Sequence, residues 1–449
     1  MAADDRSFHG PRARIALAAL AAALWAGVAR AAAPASDAPS TAAPGRVARL
    51  ADILDQARER NPMLRAARER THALEAVPPQ AAAYDDPTLS WEAWNFPESL
   101  RIDRADNNIF RLSQKLPFPG KRRLAGEVAA READRAGFEA DAVELDVVTA
   151  VKRAYYDLWE SVRRREVLER ERNLLERFSR VAEQKYGLSE ATQGDVLKSQ
   201  VELTHVVNEI VKEKLATDTA RSELNALLSV APDSDPGTPE DPPAPRVELD
   251  PDELVATALA KRPEIAERGA AIARDETAVE LARKNYLPDF EVSVGRFVNY
   301  GANDGFGAMA SVTLPFVNRE KYDAGVAEAR ARVRAEESER RSLEDRLRRE
   351  VRQGVLRVRT AALQHDLFLH THIPQTEQAL RAAEAGYESG ETSFLDVIDT
   401  LRRIESVHLE HIAAQADFER SFADLERVVG AEIPRARAGA RTRDGEHRD

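Results

Sequence analysis

The sequence predicts a mainly α-helical fold with a small β part, arranged as a duplication in which each half holds one long helical hairpin and two strands. Three observations lead there: an internal repeat, two unusually long stretches of helical periodicity, and short segments of strict apolar-polar alternation. Length would otherwise suggest two or three ordinary domains for 449 residues. Instead, the runs of Ala, Glu, Arg, Leu and Lys, with 32% charged and only 6% aromatic residues, have the composition of extended helices and coiled coils, which grow without needing a spherical core.

The repeat fixes the frame. Arg60-Asn61-Pro62 recurs as Lys261-Arg262-Pro263, Leu116-Pro117-Phe118 as Leu314-Pro315-Phe316, Ala125-Gly126 as Ala324-Gly325, and Tyr186 with Asp195-Val196 as Tyr387 with Asp396-Val397, always 198 to 201 residues apart. The first repeat covers 47–230 and the second 247–430. Between them, 231–246 carries six prolines among Asp, Gly and Ser and reads as a non-helical linker. Residues 431–449 read as a flexible tail.

Each half opens with two short helices broken near a proline, at Pro62 in the first. The pattern then changes to alternation over 88–96 and 108–116, and again over 289–298 and 307–314, with a polar loop around Arg101 to Asn107 closing the first hairpin. Phe110, Leu112 and Leu116 share one face, with Arg111, Ser113 and Lys115 on the other. In the second half Phe290, Val292 and Val294 oppose Glu291, Ser293 and Gly295, and Ala308, Ala310, Val312 and Leu314 oppose Met309, Ser311 and Thr313.

Uninterrupted helical patterns follow over 121–185 and 319–387, each about 100 Å long at 1.5 Å per residue, wider than any globular domain. Return helices are predicted over 195–228 and 396–429. The early helix of each half, as at 63–80, is placed to stack on the end of the return helix and complete the length of the long one. Val151, Tyr155, Leu158 and Val162 step by four, three and four, as do the residues from Val397 through Leu401, Ile404, His408, His411, Gln415, Phe418, Phe422 and Leu425 to Val429, the signature of coiled-coil seams. Pro374 should kink the second long helix or loosen one of its turns.

The N-terminus reads as an export signal over 1–31. Arg12 and Arg14 precede an apolar run from Ile15 to Val28, and Ala29-Arg30-Ala31 has the small-x-small form of a cleavage site. The run is shorter than the roughly 20 residues of a spanning helix, and no later segment reaches that length, so any membrane passage must be a β-barrel. The chain has no cysteine, which excludes disulfides and a lipid-modified Cys. A net charge of -12 argues against nucleic acid as partner. Four strands cannot close a barrel in lipid, because open edges leave backbone groups unpaired at several kcal/mol each. Closure therefore needs several copies, and strand number alone permits two, three or four.

The order of elements, the duplicated hairpins, Leu-Pro-Phe-Pro-Gly-Lys-Arg at 116–122, and Gly-Tyr-x-x-Gly with Asp-Val-x-Asp at 386–399 resemble the TolC family of outer-membrane efflux proteins. The resemblance covers Val47 to Gly430; the single motifs are loose, their duplicated order specific. It implies a homotrimer with a twelve-stranded transmembrane β-barrel and an α-helical barrel in the periplasm, docked to a periplasmic adaptor protein and an inner-membrane pump of RND or ABC type. The outer-membrane lipid surrounds the barrel, and neither a cofactor nor a catalytic site is implied.

By residue match, the resemblance makes Asp396 and Asp399 the acidic constriction of a periplasmic gate, with Asp195 and Tyr387 as partners in its latch. The resemblance places at Thr392 a position that holds a latch-tightening basic residue in the family, which implies that the closed state either rests on different bonds or is weaker. Stacked carboxylate rings would favour cations. The alternative is that Asp396 and Asp399 only cap and solvate the return helix. The tips, Tyr186-Gly187-Leu188-Ser189 and Tyr387 to Gly390, resemble adaptor-docking sites. Gly390 suits a tight turn, whereas its counterpart is Ser189 with glycine moved to 187, which predicts two unequal tips. These residues could equally serve only as turns.

His365, His370 and His372 cluster, and His408 and His411 lie three apart, but without cysteine or a zinc-protease spacing they read as interhelical hydrogen-bonding residues in a seam. Pro119-Gly120-Lys121-Arg122 lacks the first glycine of a phosphate loop. The rival to a channel is a periplasmic coiled-coil adaptor or scaffold, which usually has one hairpin inserted in compact β-domains; an exported hydrolase would need a nucleophile, base and orienting group that cannot be assembled here. The Pro-Phe-Pro-Gly-Lys-Arg stretch resembles the heavy-metal efflux branch (CzcC/CusC-like), which makes divalent cations the first expectation for cargo ahead of drugs or polypeptides.

Overall fold

The computed structural model describes residues 47–95, 105–299 and 303–435, all within one compact unit. The export signal over 1–31, part of the first hairpin loop and the tail beyond 435 lie outside the described residues. No described helix is long and apolar enough to cross a membrane.

Each half begins with a broken pair of helices, α1 (Leu50–Arg60) and α2 (Pro62–Glu75) in the first, α6 (Pro251–Lys261) and α7 (Pro263–Lys284) in the second; α3 (Val77–Ala81) is a single extra turn. The break falls before Pro62 and Pro263, where a proline can start a helix but not continue one. Asn61 caps α2 by accepting from Met63 N at 2.9 Å and Leu64 N at 3.3 Å.

The long helix α4 (Lys121–Gly187) returns through α5 (Gln193–Leu227), and α8 (Arg319–Leu367) with α9 (Ile373–Ser389) returns through α10 (Phe394–Val429). Asn61 Nδ2 donates to the carbonyl of Leu227 at 2.9 Å, and Arg262 donates to the carbonyl of Val428 at 3.2 Å. These bonds splice α2 onto the end of α5, and α7 onto the end of α10, using the last carbonyls a helix leaves unpaired. Each short helix plus return helix therefore runs beside one long helix.

The second long helix is loosened ahead of Pro374, as the sequence suggested. A π-helical turn at Phe368–His372 separates α8 from α9, immediately before Pro374, whose missing N–H removes one bond of the ladder and is accommodated by widening the turn ahead of it.

Apolar seams hold the hairpins. Val151, Tyr155 and Leu158 pack with Ala220 and Leu224 in the first; Val351, Val355 and Val358 pack with Phe418, Phe422 and Leu425 in the second. A third cluster joins the hairpins near the tips, where Leu168, Leu175 and Val206 meet Phe394, Val397 and Leu401. The histidines lie in this frame: His365 is buried and its ring sits 4.7 Å from that of His411 across α8 and α10. Burial pushes His411 down to about 4, and its Nε2 has no partner among the described residues. His365 and His411 thus pack as neutral rings.

The linker is strapped to the helices. β4 (Thr238–Pro239) pairs in parallel with β1 (Val47–Ala48). Tyr155 Oη donates to Ala48 O at 2.8 Å and accepts from Glu240 N at 2.9 Å. The tail expected to be flexible from 431 is packed at least through Arg435. Ile433 fills the second seam, and the Arg435 guanidinium makes a two-bonded pair with buried Glu419.

Candidate functional site: channel wall and periplasmic tips

The strands β2 (Thr88–Trp94), β3 (Asn107–Leu116), β5 (Phe290–Asn299) and β6 (Gly305–Val312) form one antiparallel sheet in the order β2-β3-β5-β6. The described part of the first strand ends at Trp94, Asn95 turns left-handed at φ 53°, and residue 96 of the expected strand lies outside the described residues. The register aligns Trp91 with Phe110, Leu112 with Val294, Val294 with Ala308, and Phe290 with Val312, so period-two alternation puts every one of these apolar residues on the same face. Among the described residues nothing buries that face: Leu89 is 74% and Phe306 86% exposed. The other face carries Ser90, Glu92, Arg111, Ser113, Lys115 and Glu291. Among the described residues β2 and β6 are paired on one side only, so both edges present backbone donors and acceptors without a strand partner there.

The sheet is locked to the helices by one carboxylate. Asp289 Oδ1 accepts from Phe118 N at 2.8 Å and from Lys121 Nζ at 2.8 Å, and Lys121 also donates to Leu287 O at 3.0 Å. The exit of the first strand pair is thereby pinned to the entry of the second.

At the opposite end, the two tips fold to the same turn. Glu190 N donates to Lys185 O at 2.8 Å and Ser189 N to Tyr186 O at 3.0 Å; in the other tip Glu391 N donates to Gly386 O at 2.7 Å and Gly390 N to Tyr387 O at 3.3 Å. Both are helix terminations with one left-handed residue, Gly390 at φ 83° and Ser189 at φ 65°. The expected inequality is therefore chemical and not conformational: Gly187 remains in α4, and Ser189 itself takes the strained position.

The tip carboxylates are occupied locally. Asp195 Oδ2 accepts from Thr192 N at 3.0 Å and Thr192 Oγ1 at 2.8 Å, and Asp396 Oδ2 accepts from Ser393 N at 3.1 Å and Ser393 Oγ at 2.8 Å. Both are capping boxes. Hydrogen bonds from the Ser393 side chain and backbone hold Asp396 below the usual carboxylate range, so it is charged at neutral pH. Asp399 lies on the exposed surface 3.7 Å from Arg402.

Tyr387 is buried against Phe394, with ring centroids 5.5 Å apart, and its hydroxyl has no partner among the described residues. Burial, and then the nearby charge of Asp195, push that hydroxyl above its ordinary range. Thr392 donates to Ala383 O at 3.1 Å, and its methyl group lies where a Cβ on Gly386 would approach to 2.6 Å. A Cβ at Gly386 would therefore force the Thr392 side chain in the turn to move.

Sequence reasoning missed Lys185. Its Nζ donates to Tyr387 O at 3.0 Å and lies 4.3 Å over the Tyr387 ring, bridging the two tips. The repeat could have flagged it, because Lys185 is the counterpart of Gly386 and brings a cation where the other tip has no side chain.

A sheet with one apolar exposed face and two open edges, joined to helices of 67 and 49 residues, defines the subunit of an outer-membrane channel with a large periplasmic part. The chain belongs to the outer membrane efflux protein family, whose model matches residues 53–230 and 254–431. It is similar to the cobalt-zinc-cadmium resistance protein CzcC of Cupriavidus metallidurans, 23% identical over 380 residues, covering 82% of this chain and 86% of that protein. The fold is shared with VceC of Vibrio cholerae, at a TM-score of 0.70 and 18% identity over 85% of this chain and 96% of the other. It is shared as well with CusC, at a TM-score of 0.72 and 14% identity over 85% and 92%. The protein is an outer-membrane efflux channel, and the adaptor reading falls away.

Proposed function

We propose that three copies close a twelve-stranded barrel, β6 of each pairing with β2 of the next, and that the trimer forms the exit duct of a tripartite pump. The pair of open sheet edges carries this reading, since an unpaired strand edge in hydrocarbon costs several kcal/mol per group. A second unpartnered surface points the same way. Leu197, Val201, Val211 and Leu215 lie exposed on α5 at 53 to 69%, and fall on one seam of alternating four and three steps that a neighbouring copy's long helix would cover.

The tips are the proposed docking site for a periplasmic adaptor, through Tyr186, Gly187, Leu188 and Ser189 on one side and Gly390 on the other; Leu188 is 70% exposed there. The inner-membrane partner is a pump of RND or ABC type. Asp396 and Asp399 are the proposed acidic constriction, with Lys185 supplying to Tyr387 the cation that Thr392 does not. Capping does not compete with this role, because a capping carboxylate keeps its charge. Divalent metal cations are the proposed cargo, supported by the likeness to a cobalt-zinc-cadmium resistance protein.

The gate is tested by the double substitution Asp396→Ala, Asp399→Ala in planar bilayers. The expected result is raised anion permeability through single channels. An unchanged cation preference would remove these residues from the constriction.

A further inference from the structure

A cavity of about 420 Å³ opens between α4, α9 and α10, beyond the helical turns that form the tips, walled by Leu174, Leu380 and Leu401 and by the carboxyl groups of Glu171 and Glu405 with His408. Glu171 is only 8% exposed, and neither of its oxygens meets a donor from the rest of the described chain. The group facing it is the carboxyl of Glu405. Two carboxyl groups from different hairpins therefore meet in one pocket, and no donor of the described residues reaches the buried Glu171.

Three of the nearby cations are held by other groups. Arg402 on α10 is held by two bonds to Glu202 on α5, one of 2.8 Å. Lys212 on α5 pairs with Glu209 at 2.6 Å, and Arg170 on α4 donates to Glu166 O at 3.3 Å. Arg177 lines the cavity beside the pair. Burial pushes Glu405 up; its hydrogen bond with Glu171 and the charge of His205 on α5 act against that, and the charges of Glu202 and Glu209 add to it. His408 is pushed down by its own burial and by Arg170, against Glu377 on α9, so it stays neutral. No three metal-ligating side chains converge among the described residues, and a proton is an occupant that two facing carboxyl groups can share.

We propose that Glu171 and Glu405 share one proton across the contact between the first hairpin's long helix and the second hairpin's return helix, making a joint that is closed while the proton is bound and forced apart when it leaves. Two buried carboxylates in contact cannot both ionise, and a single proton between them makes an O–H···O bond strengthened by charge. Burial, and then the charge of Glu405, push Glu171 up to about 9 from an ordinary 4.5. Because the folded value is raised, the joint's contribution is fully present below about 4.5, declines as pH rises, and is lost through about 9. This goes beyond the channel reading and does not depend on what the channel carries.

The test is hydrogen exchange of the assembled full chain in detergent, followed over 168–178 and 401–408 and corrected for intrinsic rates. In the parent protein, protection there is expected to fall by as much as about tenfold per pH unit between about pH 6 and 8.5, with the seam at 147–158 unchanged. Glu171→Gln donates to Glu405 without titrating, so its protection should be flat across that range. Glu405→Gln reverses the donor and should behave alike, which keeps the test open if one variant fails to assemble. A parent and variants that follow the same pH course would overturn the proposal.

Discussion

Val294→Arg is expected to eliminate assembled oligomer from the outer membrane, whereas Ser311→Arg leaves it in place. Val294 lies at the middle of β5 and is 59% exposed on the apolar face. An arginine facing lipid near the midplane of such a barrel costs about 2–4 kcal/mol, and three copies place it at three points of one closed wall. Ser311 pairs with Glu291 on the opposite face, where an added cation meets a carboxylate and water. Counting heat-modifiable oligomer in outer-membrane fractions reads the difference, and equal loss in both variants would mean that the two faces do not separate lipid from lumen.

The second large effect is expected at the end of the chain. Glu419 has no exposed side-chain surface, and its partner Arg435 reaches it from beyond the last helix while lying 4.8 Å over the Phe422 ring. Arg435→Ala would leave a buried carboxylate without a counter-charge, at a cost of about 3–5 kcal/mol. Adding Glu419→Met should recover most of that loss, because an apolar side chain of similar volume needs no partner. Thermal unfolding of the purified protein measures both. A single variant as stable as the parent would show that the segment after Gly430 is not part of the core.

The contrast between these sites explains what could be read from sequence. Strand faces were legible because period-two alternation in Phe290 to Val294 and in Phe110 to Leu112 is a local property. The turn at Pro62 and Pro263 was legible because proline acts on its own helix. The capping boxes at Thr192-Asp195 and Ser393-Asp396 also have a local signature, although resemblance assigned their carboxylates to a gate. Lys185 on Tyr387, Glu171 against Glu405, and Arg435 on Glu419 were not legible. Each joins residues of different elements, most of them far apart along the chain, and no pattern within one helix announces its partner. The left-handed Ser189 was missed for a related reason: the helix termination is imposed by two backbone bonds, and it overrides the preference that would have assigned the turn to Gly187.

The same distinction applies to assembly. One chain supplies four strands, an apolar face and two unpaired edges, and every one of these features is unfavourable until copies meet. The exposed α5 seam is a further surface of that kind.

The most direct test is the mass of the intact complex released from outer membranes in mild detergent, measured by native mass spectrometry on the processed chain. Three copies per particle is the expected result. A water-soluble single copy, or a stable particle of two or four, would contradict closure of the wall by three sets of four strands.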